Sequence, residues 1–147
     1  MKNKELEFQI IDNKILNVLD FDWYLRDIEM IYIGHSCMDK SQYIICISTG
    51  WETSELYFKT QDELVIANQF NKLCEEIGKA NPNFNIYFPR CFNTAKIKDI
   101  KQNKGLLSNK INVEFKSGES VEFKTTKSTA KKLFADKESV ENLNVEL

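Results

Sequence analysis

The chain has 147 residues, 42% of them hydrophobic and 29% charged, with a formal net charge of −2. That is an ordinary globular composition, long enough to bury about 68–70% of the unfolded surface without metals or crosslinks. The longest apolar runs, Met30 to Ile33 and Tyr43 to Ile47, are strand-length and fall well short of the ~20 residues of a membrane-spanning helix.

The stretch Met1 to Glu5 is polar and no apolar segment follows it, so no export signal is expected and the cytoplasm is the expected compartment. In that reducing setting Cys37, Cys46, Cys74 and Cys91 read as thiols, not as a disulfide framework. Lysine outnumbers arginine heavily, with Arg26 and Arg90 the two arginines. A surface that reads nucleic-acid sequence would therefore hold few of the planar forks that grip phosphate or guanine bidentately.

In chain order, residues 1–9 read as a polar lead-in, and Ile15 to Leu19 as a short strand. Asp20 to Asp22 makes a turn, and Trp23 to Ile33 is rich in β-branched and aromatic residues. Gly34 to Ser41 breaks that run. Tyr43 to Ser48 forms a strand, Gly50 turns it, and Leu56 to Lys59 returns. Thr60 with Glu63 three residues on has the spacing of a capping box. Leu64, Ala67, Phe70, Leu73, Cys74 and Ile77 follow at helical spacing, with Gly78 as the expected C-cap and Asn81-Pro82 as the stop.

The same order then recurs. Ile86 to Phe88 and Phe92 to Ile100 are strand-like, and Lys101 to Asn109 is a polar turn around Gly105. Ile111, Val113 and Phe115 alternate onto one face, Gly118 turns the chain, and Val121 and Phe123 return. A helix carries Ala130, Leu133 and Phe134, and an acidic tail from Asp136 is expected to fray. At an offset of 69, Trp23, Ile28 and Ile31 meet Phe92, Ile97 and Ile100. At 68, Tyr43, Ile45, Ile47 and Gly50 meet Ile111, Val113, Phe115 and Gly118. The expectation is an α+β protein built from two tandem β-rich units, 10–80 and 84–136, each of about four short antiparallel strands and a helix, forming either two small domains or together one compact one, with a tail at 137–147.

The pattern Ile97-x-x-Ile100, Ile111-x-Val113-x-Phe115-x-x-Gly118, Val121-x-Phe123 and a closing helix resembles bacterial pleckstrin-like domains. That resemblance implies a partly open barrel plugged by a helix and used to bind proteins or lipid head groups. The chain from Ile15 to Leu133 also resembles the LytTR family of DNA-binding domains, with Phe84 to Phe92 as its central stretch. It departs from that family at Pro89, where a His is usual, at the short spacing from Arg90 to Ile97, and at Thr125-Thr126-Lys127 in place of Ser-Arg. These departures fall on the positions that would touch DNA.

No cofactor is expected, because the chain has no Walker loop, no Gly-rich dinucleotide turn and no Gly-x-Ser-x-Gly elbow. His35, Cys37 and Asp39 are the residues from which a Cys–His nucleophile would be built, and they fall in a predicted turn. A zinc site drawn from His35 and the cysteines lacks paired Cys-x-x-Cys spacing, so no metal is expected. Neither catalytic residues nor a membrane association are expected.

Charge is more informative. Residues 1–90 carry −5, residues 96–132 carry +6 and residues 133–147 carry −3. Asp27 and Glu29 in the first unit become Lys96 and Lys98 in the second, on faces opposite Ile28 and Ile97. Such faces serve as plain solvated surfaces, as self-complementary surfaces that join two copies, or as a nucleic-acid patch of Lys96, Lys98, Lys101, Lys104, Lys110 and Lys124. Trp51 sits at a predicted hairpin tip between Gly50 and Glu52, and its counterpart is Glu119, so the fold does not require an aromatic there. The expected function is a non-catalytic protein-binding module, of inhibitor, immunity or adaptor type, that presents Trp51, Glu52, Glu55, Asp27 and Glu29. The alternatives are a LytTR-like DNA binder and a thiol enzyme at His35 and Cys37.

Overall fold

The computed structural model describes residues 5–104 and 109–146, without the side chains of residues 104 and 140–146. The architecture is α+β, as expected, with two α-helices and three antiparallel sheets among the described residues. Strands β1 (Gln9–Ile11), β2 (Ile15–Val18) and β3 (Phe21–Tyr24) form the first sheet in that order. Asp12 and Asn13 turn β1 into β2 with φ of 53° and 58°, a left-handed pair that Asp and Asn tolerate through their short polar side chains.

A 3-10 turn at Leu25–Asp27 then leads to β4 (Met30–His35), β5 (Tyr43–Ser48), β6 (Thr53–Thr60) and helix α1 (Glu63–Ala80). This turn interrupts the run expected to be one strand from Trp23 to Ile33. It closes with Ile28 N–H on Leu25 O at 3.1 Å, which lets both Leu25 and Ile28 enter the core. The N-cap of α1 is Asp62, not Thr60. Thr60 still ends β6, opposite Tyr43, and its hydroxyl accepts the Asp62 N–H at 3.1 Å. The Asp62 carboxylate accepts the N–H groups of Leu64 and Val65, and a carboxylate is favoured there by the helix dipole. Helix α1 runs past Gly78 to Asn81. A β-carbon at Gly78 would lie 3.4 Å from Phe84 O, so this glycine lets the chain after α1 pass close beneath it. Phe70 and Leu73, fully buried on its inner face, contribute about 2 kcal/mol each.

The second half supplies β7 (Phe84–Tyr87), β8 (Arg90–Asn93), a 3-10 turn at Thr94–Lys96, β9 (Ile97–Lys104), β10 (Asn109–Phe115), β11 (Ser120–Thr125) and α2 (Lys127–Glu146). The expected turn from Lys101 is strand as far as Lys104, and its tip at 105–108 lies outside the described residues. The segment from Asp136, expected as a tail, belongs to helix α2. Helix α2 continues, pinned where Tyr87 Oη donates to Asp136 Oδ2 at 2.6 Å and Lys132 Nζ donates to Ile86 O at 3.1 Å.

The sheets do not divide at residue 80. β9, β10 and β11 form one sheet, but β7 and β8 extend the first half's sheet in the order β6-β5-β4-β8-β7. β8 lies antiparallel to β4 with Met30 opposite Phe92, Ile31 opposite Cys91 and Tyr32 opposite Arg90. Asn93 extends the join, its backbone N–H on Glu29 O and its side-chain amide on Ile28 O at 3.0 Å. Alternation along β8 then sends Cys91 into a core built mainly from the first half, around Ile31, Phe70 and Leu73. It sends Phe92 into a second core, with Ile111, Val113, Phe115, Phe123 and Leu133. Among the described residues, no helix is long and apolar enough to cross a membrane.

Candidate partner-binding surface

Trp51 stands at the tip of the β5–β6 hairpin and is 93% exposed. Two features fix that tip. Gly50 takes a φ of +90°, and Thr49 N–H donates to Glu52 O at 3.1 Å. Trp51 edges a groove of about 400 Å³ lined also by Asp22, Trp23, Tyr24, Asp27, Glu52 and Lys96. The 3-10 turn after Tyr24 places Asp27 on this rim, where it pairs loosely with Arg26 at 3.9 Å. The Arg26 guanidinium lies 5.1 Å from the centre of the Tyr24 ring. Phe21 and Tyr57, both exposed, stack at 6.2 Å beside the groove, and Phe21 lies 6.3 Å from Trp23. The surface combines large aromatic rings with carboxylates, the composition of an interface centre with a charged rim.

Of the five residues expected to meet a partner, the structure brings Trp51, Glu52 and Asp27 to this groove. Glu55 lies elsewhere, on β6, where its carboxylate acts on the Cys37 thiol. Glu29 does not present a solvated face. It is 2% exposed, because the chain leaves the 3-10 turn before β4 begins and the alternation expected from a continuous strand is lost. The sequence reading missed Asp22, Tyr24 and the part of Trp23 that reaches the groove, and it set Lys96 in a separate basic patch.

Glu29 sits where the β5–β6 and β10–β11 turns approach one another. Its Oε1 has no hydrogen-bond partner among the described residues. Burial pushes its carboxyl up, while the Ser117 hydroxyl and the Lys96 charge act in the opposite direction. A carboxyl raised on folding is favoured in its protonated form by the native state. Its stabilising contribution is present in full below the ordinary value of 4.5 and is lost as pH rises through the folded value. Glu29→Gln is therefore expected to stabilise the protein at pH 7 by about 1 kcal/mol, the scale of one unsatisfied buried polar group. Urea unfolding at pH 7 and near pH 4.5 checks this: the advantage of the variant should narrow at the lower pH, and a pH-independent difference would overturn it.

The lysines of the second half do not form a single-signed face. Lys98 pairs with Glu114 and Lys110 with Glu122, both at 3.3 Å, across the β9–β10–β11 sheet. Lys101 and Lys124 are exposed on that sheet, Lys96 lies at the Trp51 groove, and the side chain of Lys104 lies outside the described residues. The thiol geometry is also specific. His35 rests against Tyr43 at 4.9 Å between ring centres, and Tyr43 Oη donates to Glu63 Oε1 at 2.7 Å. The neighbouring Glu55 carboxylate holds the exposed Cys37 thiol above its usual range, the reverse of an activated nucleophile. Cys46, Cys74 and Cys91 are buried. Burial pushes the Cys46 thiol up to about 11. No family model, curated protein or solved structure matches the chain.

Proposed function

We propose that the protein is a non-catalytic binding module of inhibitor, immunity or adaptor type, and that the Trp51 groove is the surface it offers to a protein partner. The observation that carries this reading is an almost wholly exposed tryptophan on a fixed hairpin tip, beside Tyr24, Trp23 and the carboxylates of Asp22, Asp27 and Glu52. A solvated indole has no packing role in the monomer, and it gains most when a partner removes it from water. The carboxylates favour a partner that is basic around an apolar pocket.

A tandem, pleckstrin-like plan for the scaffold draws support from spacing. β2 and β3 begin at residues 15 and 21, β7 and β8 at 84 and 90, and the two 3-10 turns at 25 and 94, each pair 69 positions apart. In each half a helix follows three antiparallel strands. On this plan the shared residues build the scaffold, and the positions that differ, Trp51 against Glu119 and Asp27 against Lys96, carry specificity.

The test is capture of a partner from the native host on immobilised wild-type chain, followed by titration of that partner against wild type and Trp51→Ala. Truncation is expected to cost at least about 2 kcal/mol, or ~30-fold in Kd. An affinity unchanged within twofold would overturn the assignment of this surface.

A further inference from the structure

The join between the two halves is a strand pairing, and the 69-residue spacing supplies a counterpart for each of its sides. β8 pairs with β4, and 69 positions away these strands become β3 and β9. Among the described residues β3 has β2 as its only strand neighbour, and β9 has β10. Each therefore presents one unpaired edge of backbone donors and acceptors. We propose that the β9 edge of one copy of this chain receives β3 of a second copy, antiparallel, in the register of the β4–β8 join. That register sets Asp99 opposite Trp23, Ile100 opposite Asp22 and Lys101 opposite Phe21.

Side-chain character on the two sides has changed together. In the existing join β4 offers Ile31 and Ile33, and the hairpin that covers them brings Cys91, Ile86 and Phe84. At the corresponding positions β9 offers Ile100 and Gln102, followed at the turn by the basic end of the strand, and the β2–β3 hairpin brings Asp22, Asn17 and Ile15. An apolar edge is thus met by an apolar hairpin, whereas β9 keeps Ile100 in the second core and turns polar from Gln102 onward, the stretch that the register sets beside Asp20 and Asp22. Asn17 Nδ2 already holds Asp22 Oδ1 at 2.6 Å, so the acidic side chain is set in place before any contact.

Two further observations bear on access. Arg90 lies over the buried Phe123 ring at 4.5 Å while β8 is paired with β4, whereas Phe21, its counterpart, stacks on the exposed ring of Tyr57 at 6.2 Å. On β9, the Asp99 carboxylate accepts the Ile100 N–H at 2.9 Å. Ile100 corresponds to Ile31, the residue opposite Cys91 in the existing join. Asp99 thus covers the donor that an incoming strand would use, and it sets the strength of the contact. Because the two edges differ, the contact is heterologous, and copies joined this way extend head to tail or close into a ring.

Sedimentation velocity of the full chain, with no other protein present, tests the proposal. Wild type is expected to associate as its concentration rises from micromolar towards millimolar at low salt. In that register Gln102 lies opposite Asp20, so Asp20→Lys sets a cation against the basic end of β9, and Gln102→Glu sets an anion against Asp20 and, diagonally, Asp22. Each is expected to weaken association by about tenfold or more, through like charge placed at the contact. The double variant should associate again, since the introduced lysine would then face the introduced glutamate. Asp99→Ala should strengthen association by uncovering the Ile100 donor. A wild type and an Asp99→Ala variant that both remain monomeric throughout would overturn the proposal, as would association that neither single charge change weakens. Circular dichroism of each variant establishes that it is folded. The readout needs no partner protein, so its failure leaves the Trp51 reading standing, and failure of that reading leaves this one.

Discussion

Replacing Phe92 with alanine is expected to cost about 3–5 kcal/mol and to unfold both halves of the chain together. Phe92 is fully buried, and its ring lies 5.6 Å from Tyr87, 5.9 Å from Phe115 and 5.8 Å from Phe123. It therefore fills the centre of the second core, and its removal leaves a cavity that three rings, held by their own strands, cannot readily close. The same strand delivers Cys91 to the first core, so loosening β8 also uncovers Ile31 and the β4 edge. Both tryptophans, Trp23 and Trp51, belong to the first half. Tryptophan fluorescence thus reports on the half that Phe92 does not fill, and far-ultraviolet circular dichroism reports on the whole. In urea the two transitions of Phe92→Ala should coincide and shift together. A fluorescence transition left at the wild-type midpoint would show two independently stable halves and overturn the expectation.

The second large effect is expected at Gly50. Alanine there must hold a φ of +90°, and its β-carbon would sit 2.8 Å from Glu29 Oε2 and 2.9 Å from both Cβ and Oγ of Ser117. Two costs combine, backbone strain and crowding between the β5–β6 and β10–β11 turns, for an expected loss of about 3 kcal/mol. Gly118, its counterpart at the other hairpin, separates them. It takes a φ of +98° with nothing within 4 Å of the added carbon, so Gly118→Ala should cost only the backbone part, about 1 kcal/mol. Thermal unfolding of the two variants decides the matter. Equal losses would mean that the approach of the two turns carries no energetic weight.

The parts of this structure that were legible in the sequence are those where periodicity and burial agree. Helix α1 follows from Phe70, Leu73, Cys74 and Ile77 at helical spacing, and β10 from Ile111, Val113 and Phe115 in alternation. Strand β1 went unread because Gln9 to Ile11 does not alternate, and because the Asp12-Asn13 turn that defines it was not weighed as a left-handed pair. The 3-10 turns were hidden for a different reason. Leu25 and Ile28 are spaced as in a strand broken once, and apolar spacing alone does not record a break of that length. Trp51 was legible as an outlier, since its counterpart is Glu119. The rest of its groove was not, because Lys96 and Trp23 are 73 positions apart and meet only through the packing of β3 beside the second 3-10 turn. Glu29 was misplaced by the same lost alternation.

The double allegiance of β8 has a consequence for synthesis on the ribosome. Chain growth delivers β1 to α1 first, yet the first core stays open along β4 until Phe84 and Cys91 have emerged to close it. A nascent chain arrested after α1 would expose Ile31 and Ile33 along a bare strand edge, a surface prone to pairing with other chains. The interval between the emergence of α1 and that of residues 81–93 therefore governs how long that edge stays uncovered, and a delay in it would be more hazardous than one after β11 has emerged, when both cores have their walls.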